Sequence, residues 1–429
     1  MGSSDTNDPR LESWISVESD SDFPIQNLPF GVFQRGAAAR IGVAIGSQIL
    51  DLAAVAQSGL LDDSCDRSLL LEPSLNRLFG AGRDVVGALR ARLSSLLRNG
   101  GDPGLRRRAA DAFFTHASEA RMLLPLRIGD YVDFYSSLEH ATNLGKLFRP
   151  DMEPLLPNWR WIPIGYHGRS ATVVVDGTPI VRPHGQRKPA SSPTPAFGPS
   201  TMLDIELEVG FFTGIGNAIG HPIRVTCALE HIAGLVLVND WSARDIQAWE
   251  YQPLGPFLGK SFATTISPWV VTLEALEPFR IPAPVQEPPP LPYLASDVAA
   301  SYDIALSAEL RTAAMREHNA NAEVITRTSF GALYWTMAQQ LAHATSNGAV
   351  TRPGDLFASG TISGSMPNSY GSLLELTWRG ERPLRLASGE SRTFLEDGDE
   401  VALRGWCEGR GARRIGFGSA RGTIVPSAS

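Results

Sequence analysis

The sequence predicts a mainly β (α+β) fold with two domains. The chain has 429 residues, which is more than one small core usually holds. Short β-like runs separated by Gly, Pro and Asn fill most of the chain after about residue 125, whereas helical spacing is concentrated just before that point. We therefore expect a small sheet or barrel with helices in residues 1–125 and a large sandwich or roll in residues 126–429.

The first domain begins with β-like patterns and continues with helical ones. Residues 22–52 alternate short β-like runs with turn residues, which predicts the small sheet or barrel. Apolar residues then recur at intervals of three and four from Val85 to Leu97, which predicts a helix that ends near Asn99. Similar amphipathic spacing predicts a second helix over residues 105–122.

Seven β-like runs predict the strands of the second domain. They are "ATVVVDGTPIV" (171–181), "LDIELEVGFF" (203–212), "AGLVLVND" (233–240), "SPWVVTL" (267–273), "YDIALSAEL" (302–310), "LLELTW" (373–378) and "VALRGW" (401–406). The proline-rich stretch 277–294 predicts an extended surface connection, because proline disrupts helices and central strands. An apolar stripe at about 330–345 predicts one core helix.

Composition excludes several classes of protein. The chain has 43% hydrophobic and 19% charged residues, and its net charge of −7 provides no basic field for nucleic acid or an anionic membrane. No run approaches the roughly 18 consecutive apolar residues of a membrane span, and the N-terminus has neither the basic nor the apolar region of a signal peptide. We expect a cytoplasmic protein of the cytosol whose three cysteines are reduced thiols.

The acidic strand at residues 203–212 raises the first functional question. Its alternation places Asp204, Glu206 and Glu208 on one face at intervals of about 7 Å. A solvated sheet edge and a cation site both fit this pattern, and the strand alone favours the edge.

Two further stretches concentrate polar side chains. In residues 133–149 an acid, a tyrosine, His140 and an arginine occur with little hydrophobic periodicity. In residues 234–265 a buried strand delivers Asp240 at its end, and a helical turn follows. The turn would place three polar residues on one side, namely Arg244, Gln247 and Tyr251.

Carboxylates drawn from separate elements suit a hard divalent cation such as Mg²⁺ or Ca²⁺, whereas the lack of clustered Cys and His argues against zinc. Spacing alone does not show that they converge. The small residues at 358–365 allow the backbone to approach a ligand closely, and Glu375 lies in a strand-like run. A lone histidine is usually structural, so His140 gains weight only from its polar neighbourhood, with His167 as the nearest rival.

These residues carry a resemblance to a known family, the fumarylacetoacetate hydrolases. The matching stretches are "SDFPIQNLPFGVF", "DFYSSLEHATN", "PIGYHGR", "LDIELEVGFF", "NDWSARDIQAWEYQPLGPFLGKSF", "PGDLFASGTISGS", "DGDEV" and "RIGFG". Together they span nearly the whole chain, with departures at the N-terminus and between residues 60 and 120. The wider family shares only the C-terminal portion, so a complete N-terminal portion is typical of members that act on fumarylacetoacetate itself.

The resemblance implies a homodimer with a small SH3-like N-terminal barrel and a C-terminal mixed β-sandwich roll that houses the active site. It implies Mg²⁺ and/or Ca²⁺ at a site that includes Asp133, Glu206, Glu208, Asp240, Lys260 and Thr264. Asp204 is not among the implied ligands. Ala263 stands where the family is expected to have glycine, a small departure that removes no ligand.

The implied reaction is hydrolysis of the carbon–carbon bond of 4-fumarylacetoacetate to fumarate and acetoacetate, the last step of tyrosine and phenylalanine catabolism. His140 would be the general base and Glu375 would orient it. Donors to the oxyanion would be Arg244, Gln247 and Lys260. Residues that hold the substrate would be Tyr135, Arg149, Tyr166, Gln247, Tyr251 and Thr361.

Two alternatives remain open at this point. Another family member, an acylpyruvate-type β-diketone hydrolase or a keto-acid decarboxylase, would share the metal carboxylates. A non-catalytic cation-binding protein of the same fold is the other alternative. The presence of both His140 and Glu375 argues against it, because ion binding needs neither.

Overall fold

The computed structural model describes residues 6–61, 66–189, 191–296 and 300–428. Five antiparallel strands form the N-terminal sheet, in the order β4-β3-β2-β1-β5. They are β1 Phe30–Arg35, β2 Ala38–Ile45, β3 Gln48–Asp51, β4 Phe114–His116 and β5 Arg121–Leu123.

The remaining strands belong to the C-terminal part of the chain. They are β6 Tyr131–Phe134, β7 Gly165–His167, β8 Val173–Val175, β9 Ile180–Val181, β10 His184–Arg187, β11 Ala196–Pro199, β12 Leu203–Asp204, β13 Leu207–Thr213, β14 Ile232–Asn239, β15 Ser242–Ala243, β16 Thr264–Ile266, β17 Arg280–Pro282, β18 Ala300–Tyr302, β19 Ala305–Arg311, β20 Glu323–Ser329, β21 Leu356–Ala358, β22 Leu384–Arg385, β23 Ser391–Arg392, β24 Glu400–Gly409 and β25 Ala412–Val425.

Two large mixed sheets organise these strands. One has seven strands in the order β7-β6-β21-β13-β14-β16-β8, and its β6–β21 and β8–β16 pairs are parallel. The other has five strands in the order β20-β19-β24-β25-β9, with only the β9–β25 pair parallel.

Within the described residues the α-helices are few and mostly short. They are α1 Leu52–Gln57, α2 Asn76–Gly80, α3 Arg83–Leu97, α4 Leu138–Phe148, α5 Arg244–Glu250, α6 Leu273–Leu276, α7 Ala313–Glu317, α8 Met337–Thr345 and α9 Leu373–Leu376. None of the described helices is long and apolar enough to cross a membrane.

The two faces of the seven-stranded sheet bury different partners. Leu207 and Val209 of β13 lie in one core with Leu306 and Leu403 of the five-stranded sheet, which makes a sandwich. Phe212 and other side chains on the opposite face pack into a second core with the N-terminal part of the chain. The mainly β prediction with an N-terminal sheet and a large C-terminal sandwich is confirmed.

This second face also carries the acidic side chains. Since alternate residues of a strand share a face, Glu208 lies on the same side of β13 as Phe212. By the same rule Asp133 shares the side of Tyr131, which belongs to the second core, and Asp240 directly follows the last residue of β14. The domain boundary at residue 125 stays a prediction, because this core draws residues from both sides of it.

Some predicted elements are wrong or shorter than expected. The helix expected at 105–122 is absent, because the backbone there pairs as β4 with β3 and as β5 with β1. The run 373–378 is not a strand; it contains α9, which Ser372 caps by accepting a hydrogen bond from Glu375 N at 3.3 Å.

Two other predictions hold in part. Residues 267–273 form only isolated bridges, at Val270 and Val271, before α6 begins. The core helix expected over 330–345 is confined to α8, after a short 3₁₀ turn.

Candidate active site

Strand β6 carries Asp133, and helix α4, which follows it in the chain, carries His140. Asp133 lies inside β6 and is 4% exposed. Ser137 then caps α4, with its hydroxyl accepting from His140 N at 3.4 Å, and so puts His140 in the first helical turn. The histidine is 2% exposed, so this polar stretch is a buried element rather than a surface loop.

The acidic strand is not a solvated edge. The run is split between β12 and β13, with Glu206 at the break, and Asp204, Glu206 and Glu208 are all buried. Asp204 accepts from Arg244 Nε at 2.7 Å and from the backbone N of Leu373 at 2.6 Å. It therefore links α5 to the start of α9, a role separate from the other two acids.

The structure brings four predicted acids together. One carboxylate oxygen from each of Asp133, Glu206, Glu208 and Asp240 lies within 4.8 Å of the other three, and all four residues are buried. They come from three separated stretches of the chain. Such a cluster of oxygen donors is able to hold a metal ion.

Lysine and threonine side chains brace this cluster. Lys260 Nζ lies 2.6 Å from Glu206 Oε2 and 2.7 Å from Asp240 Oδ2. Thr264 Oγ1 donates to Asp240 Oδ1 at 2.9 Å. The Lys260 ammonium has no lone pair for a cation, so its contacts neutralise and orient the carboxylates.

Two arginines complete the charged cluster. Arg244 Nη1 lies 2.9 Å from Glu206 Oε1, and its Nη2 is buried without a hydrogen-bond partner. Arg169, which no sequence argument singled out, donates to Asp240 Oδ1 at 2.6 Å and to Asp133 Oδ2 at 2.7 Å. Its position next to acids 36 and 71 residues away leaves no signal in the sequence.

Charge and hydrogen bonding both fit a divalent cation. The ionised cluster contains five carboxylates and three cations, which leaves an excess of two negative charges. Two buried carboxylate oxygens, Asp133 Oδ1 and Glu208 Oε1, lack a hydrogen-bond partner. Buried carboxylates without partners are costly, so these atoms are suited to bind an ion.

The same two acids have raised pKa values. Burial and then the charge of Asp240 raise the pKa of Asp133 to about 7, and burial and then the charge of Asp133 raise the pKa of Glu208 well above its usual value. Although burial opposes ionisation, Lys260 and Arg244 lower the pKa of Glu206. Asp133 and Glu208 are therefore the acids of this cluster that resist ionisation while no cation is bound.

His140 and Glu375 form a buried pair. His140 Nδ1 lies 2.7 Å from Glu375 Oε2. Glu375 also accepts from Asn143 Nδ2 at 2.9 Å, Ser372 Oγ at 2.8 Å and Ser363 Oγ at 3.0 Å. These donors and His140 outweigh burial and lower the pKa of Glu375, so the carboxylate is held ionised against Nδ1.

The remaining predicted residues differ in how firmly they are held. The Tyr135 ring meets the His140 ring edge to face at 5.4 Å. Arg149 Nε and Thr361 Oγ1 are buried and have no hydrogen-bond partner in the protein, so both atoms are available to bind a ligand. Tyr166 OH accepts from Arg169 at 2.8 Å, whereas Tyr251 is 37% exposed at the end of α5.

Gln247 and the small-residue run also contact the cluster. Gln247 Oε1 accepts from Arg244 Nη1 at 3.1 Å, as their shared helical face predicts. In the run 358–365, Gly360 N donates to Glu208 Oε2 at 3.1 Å. Gly360 has a φ of 76°, and a Cβ there would lie 2.1 Å from Phe134 O, so only glycine fits this close approach.

The rival histidine lies elsewhere. His167 Nδ1 contacts Asp130 Oδ2 at 2.6 Å, and its side chain is 60% exposed. Sequence reasoning also missed Asn143, Ser363 and Ser372. Ser372 stands three residues before Glu375 in a capping pattern, while Asn143 and Ser363 lie inside the stretches 133–149 and 358–365 that the sequence singles out.

Comparisons with known proteins agree with this site. Residues 26–125 match the family model "Fumarylacetoacetase N-terminal", and residues 131–425 match "Fumarylacetoacetate (FAA) hydrolase C-terminal". The fumarylacetoacetase of Arabidopsis thaliana is 51% identical over 426 residues, and that of Rattus norvegicus is 52% identical over 426 residues. Each alignment covers 97% of this chain and 99% of the relative. The chain belongs to the fumarylacetoacetate hydrolase family.

A solved structure supports the fold. The fumarylacetoacetate hydrolase from psychrophilic Exiguobacterium antarcticum superposes with a TM-score of 0.52 over 93% of this chain and 99% of that chain. The two sequences are 16% identical, so this likeness concerns the fold alone.

Proposed function

We propose that this chain hydrolyses the carbon–carbon bond of 4-fumarylacetoacetate to fumarate and acetoacetate, the last step of tyrosine and phenylalanine catabolism. The observation that carries the proposal is 51% identity to a fumarylacetoacetase over 97% of the chain. The site supports it, since a buried His–Glu pair and a cluster of acids lie on neighbouring elements.

The proposed ligands of the ion are Asp133, Glu206, Glu208 and Asp240. Their all-oxygen donor set favours Mg²⁺ or Ca²⁺ over zinc. When bound, such an ion would withdraw charge from the diketone oxygens and stabilise the enolate that departs.

His140 is the proposed general base. With its Nδ1 proton directed to Glu375, the neutral ring presents Nε2 as the acceptor for a proton from water. The hydroxyl group adds to the ketone carbon next to the double bond. The bond from that carbon to the neighbouring methylene then breaks, and its electron pair leaves with the acetoacetate enolate. A proton returned from the imidazolium to the enolate carbon completes the balance.

Arginine and lysine donors stabilise the oxyanion. Arg244 Nη2 is a buried donor with no protein partner, and Lys260 uses two carboxylates but carries three N–H bonds. Removal of one such donor typically costs about 3 to 4 kcal/mol in the barrier. Gln247 holds Arg244 in place through Oε1 and offers its amide group to the same region.

The two carboxylates of the substrate need positively charged or hydroxyl side chains of the protein to bind them, and these side chains must lie away from the proposed ion. Arg149, whose Nη2 donates to Pro154 O at 3.0 Å, keeps Nε free for a carboxylate. Thr361 offers a buried hydroxyl, and Tyr135 lies against His140. Tyr166 and Tyr251 are the proposed contacts at the outer side.

A direct assay tests the reaction. Purified protein, stripped with a chelator, is mixed with fumarylacetoacetate and then with Mg²⁺ or Ca²⁺, while the ultraviolet absorbance of the diketone is followed. We expect its loss only after the ion is added, with fumarate and acetoacetate as products. Faster turnover of acetylpyruvate than of fumarylacetoacetate would instead identify an acylpyruvate-type hydrolase.

We also propose a homodimer located in the cytosol. The loop after α5 exposes three apolar side chains, Leu254 at 97%, Phe257 at 69% and Leu258 at 45%, and such a patch is typical of an interface. Light scattering of the wild type and of Leu254→Asp tests this, since the substitution should shift the mass toward a monomer. The two cysteines in the described ranges, Cys227 and Cys407, are free thiols, as the cytosol allows.

A further inference from the structure

Asp133 depends on a single partner for its orientation. Within the described ranges, Arg169 Nη2 is the one hydrogen-bond donor to its Oδ2, and its Oδ1 has none. Asp240, by contrast, is also held by Lys260 and Thr264. Without Arg169 the carboxylate of Asp133 would be buried with no protein donor.

Arg169 is itself held rigidly. Its guanidinium lies 4.8 Å from the centre of the Tyr131 ring and 5.0 Å from that of Tyr166, so it makes cation–π contacts with two aromatic rings. Its side chain is 6% exposed and also donates to Tyr166 OH. A planar fork fixed in this way holds two carboxylates in a set orientation, whereas the ammonium of a lysine at this position would be a point charge on a flexible stem.

We propose that Arg169 is a positioning residue of the metal centre. Arg169 bridges Asp133 of β6 and Asp240 after β14, and it thereby sets the orientation of two of the four ligands. Its positive charge also leaves the ionised cluster with two excess negative charges, which one divalent cation balances. The inference rests on the proposed metal site, and it adds a residue outside the ligand set. Groups that orient ligands typically account for a 10- to 100-fold difference in metal affinity.

The contacts of Arg169 with Asp133 and Asp240 also fit a second role, in which the guanidinium takes the place of the ion, and an experiment can distinguish the two roles. A guanidinium that merely substitutes for the ion among the carboxylates would compete with it, and its removal would tighten ion binding. A guanidinium that positions the ligands would weaken binding when removed. The two roles therefore predict changes of opposite sign.

The experiment measures Mg²⁺ and Ca²⁺ binding by calorimetry, in separate titrations of the chelator-stripped full chain at constant pH. The variants are Arg169→Met, which keeps the length of the side chain, and Arg169→Lys, which keeps the charge. Arg182→Met is the matched control, because Arg182 is a buried arginine bonded to Asp397, with no contact to the acid cluster.

We expect Kd to rise about 10- to 100-fold in Arg169→Met and to stay unchanged in Arg182→Met. Arg169→Lys should remain at least about tenfold weaker than the wild type, since a point charge does not reproduce the fork. Circular dichroism shows whether Arg169→Met folds in chelator. If it does not fold, Arg169→Lys decides the question: ion binding at least about tenfold weaker than in the wild type supports the inference, and wild-type binding overturns it.

Three results would overturn the inference. They are unchanged binding in Arg169→Met, tighter binding in that variant, and full rescue by lysine. Failure of the wild type to bind either ion is a separate result, which would remove the proposed metal site and this inference with it.

Discussion

Replacement of Glu375 by glutamine tests whether the His–Glu pair prepares the base. The substitution keeps the shape of the side chain but exchanges one acceptor oxygen for an NH₂ group. In the wild type both oxygens accept hydrogen bonds, Oε2 from His140 and Ser372 and Oε1 from Asn143. A glutamine amide has a single acceptor oxygen, which can take the place of Oε2 or of Oε1 but not of both.

Each orientation of the amide has a cost. If its oxygen faces His140, its NH₂ group meets the NH₂ of Asn143, and a buried donor is left unpaired at a cost of about 1 to 3 kcal/mol. If the amide turns over, its NH₂ group donates to Nδ1, and the ring proton moves to Nε2, where it blocks the base. The corresponding amide in a serine-protease triad lowers kcat by about 10⁴-fold.

We therefore expect Glu375→Gln to lower kcat by about 10²- to 10⁴-fold, which is about 3 to 5.5 kcal/mol in the barrier. KM should change little, because the Glu375 side chain is fully buried behind His140 and does not line the substrate side. Steady-state kinetics by diketone absorbance provide both constants. Glu277→Gln, at a glutamate whose side chain is 52% exposed, is the control and should leave them unchanged.

A kcat within about fivefold of the wild type would refute the argument, since Nδ1 would then need no carboxylate. A loss confined to KM would also refute it, because Glu375 would then act on binding. Thermal unfolding of the variant with bound ion separates either result from general destabilisation.

Three further predictions concern the base and the acid cluster. His140→Ala should lower kcat by on the order of a hundredfold or more while substrate still binds. Turnover close to that of the wild type would show that another residue is the general base. Chelation should abolish activity and lower the melting temperature by several degrees, and an equally stable, active chelated protein would exclude a metal role. Because protons compete with the ion at Asp133 and Glu208, whose pKa values are raised in the ion-free protein, Mg²⁺ affinity should rise from pH 6 to pH 8. Calorimetry would show proton release on binding, and a pH-independent Kd would contradict this.

Local patterns in the sequence determined much of the framework. Alternation along residues 203–212 predicts a strand with its acids on one face; the structure has strands β12 and β13 there with a break at Glu206, and all three acids are buried. The apolar stripe from Val85 to Leu97 predicts α3, because a helix is defined by contacts three and four residues apart. The polar helical turn after Asp240 predicts the pairing of Arg244 with Gln247 for the same reason.

Competition between local and distant partners decided the elements that were mispredicted. Residues 105–122 have helical spacing, but residues 114–116 pair with β3 and residues 121–122 pair with β1, both more than 60 residues away in sequence. Around Glu375 the reverse occurs, since the local cap at Ser372 favours a helical turn over the strand that its apolar neighbours suggest.

The site itself was decided only by tertiary structure. Residue types pointed to an oxygen-rich cation site, and the family resemblance supplied the ligand set. Spacing along a chain carries no information about which oxygens lie within 4.8 Å of one another, or that Arg169 joins Asp133 to Asp240. Coulomb energies and hydrogen bonds depend on distance in space, so the charge balance and the raised pKa of Asp133 exist only once the strands are packed.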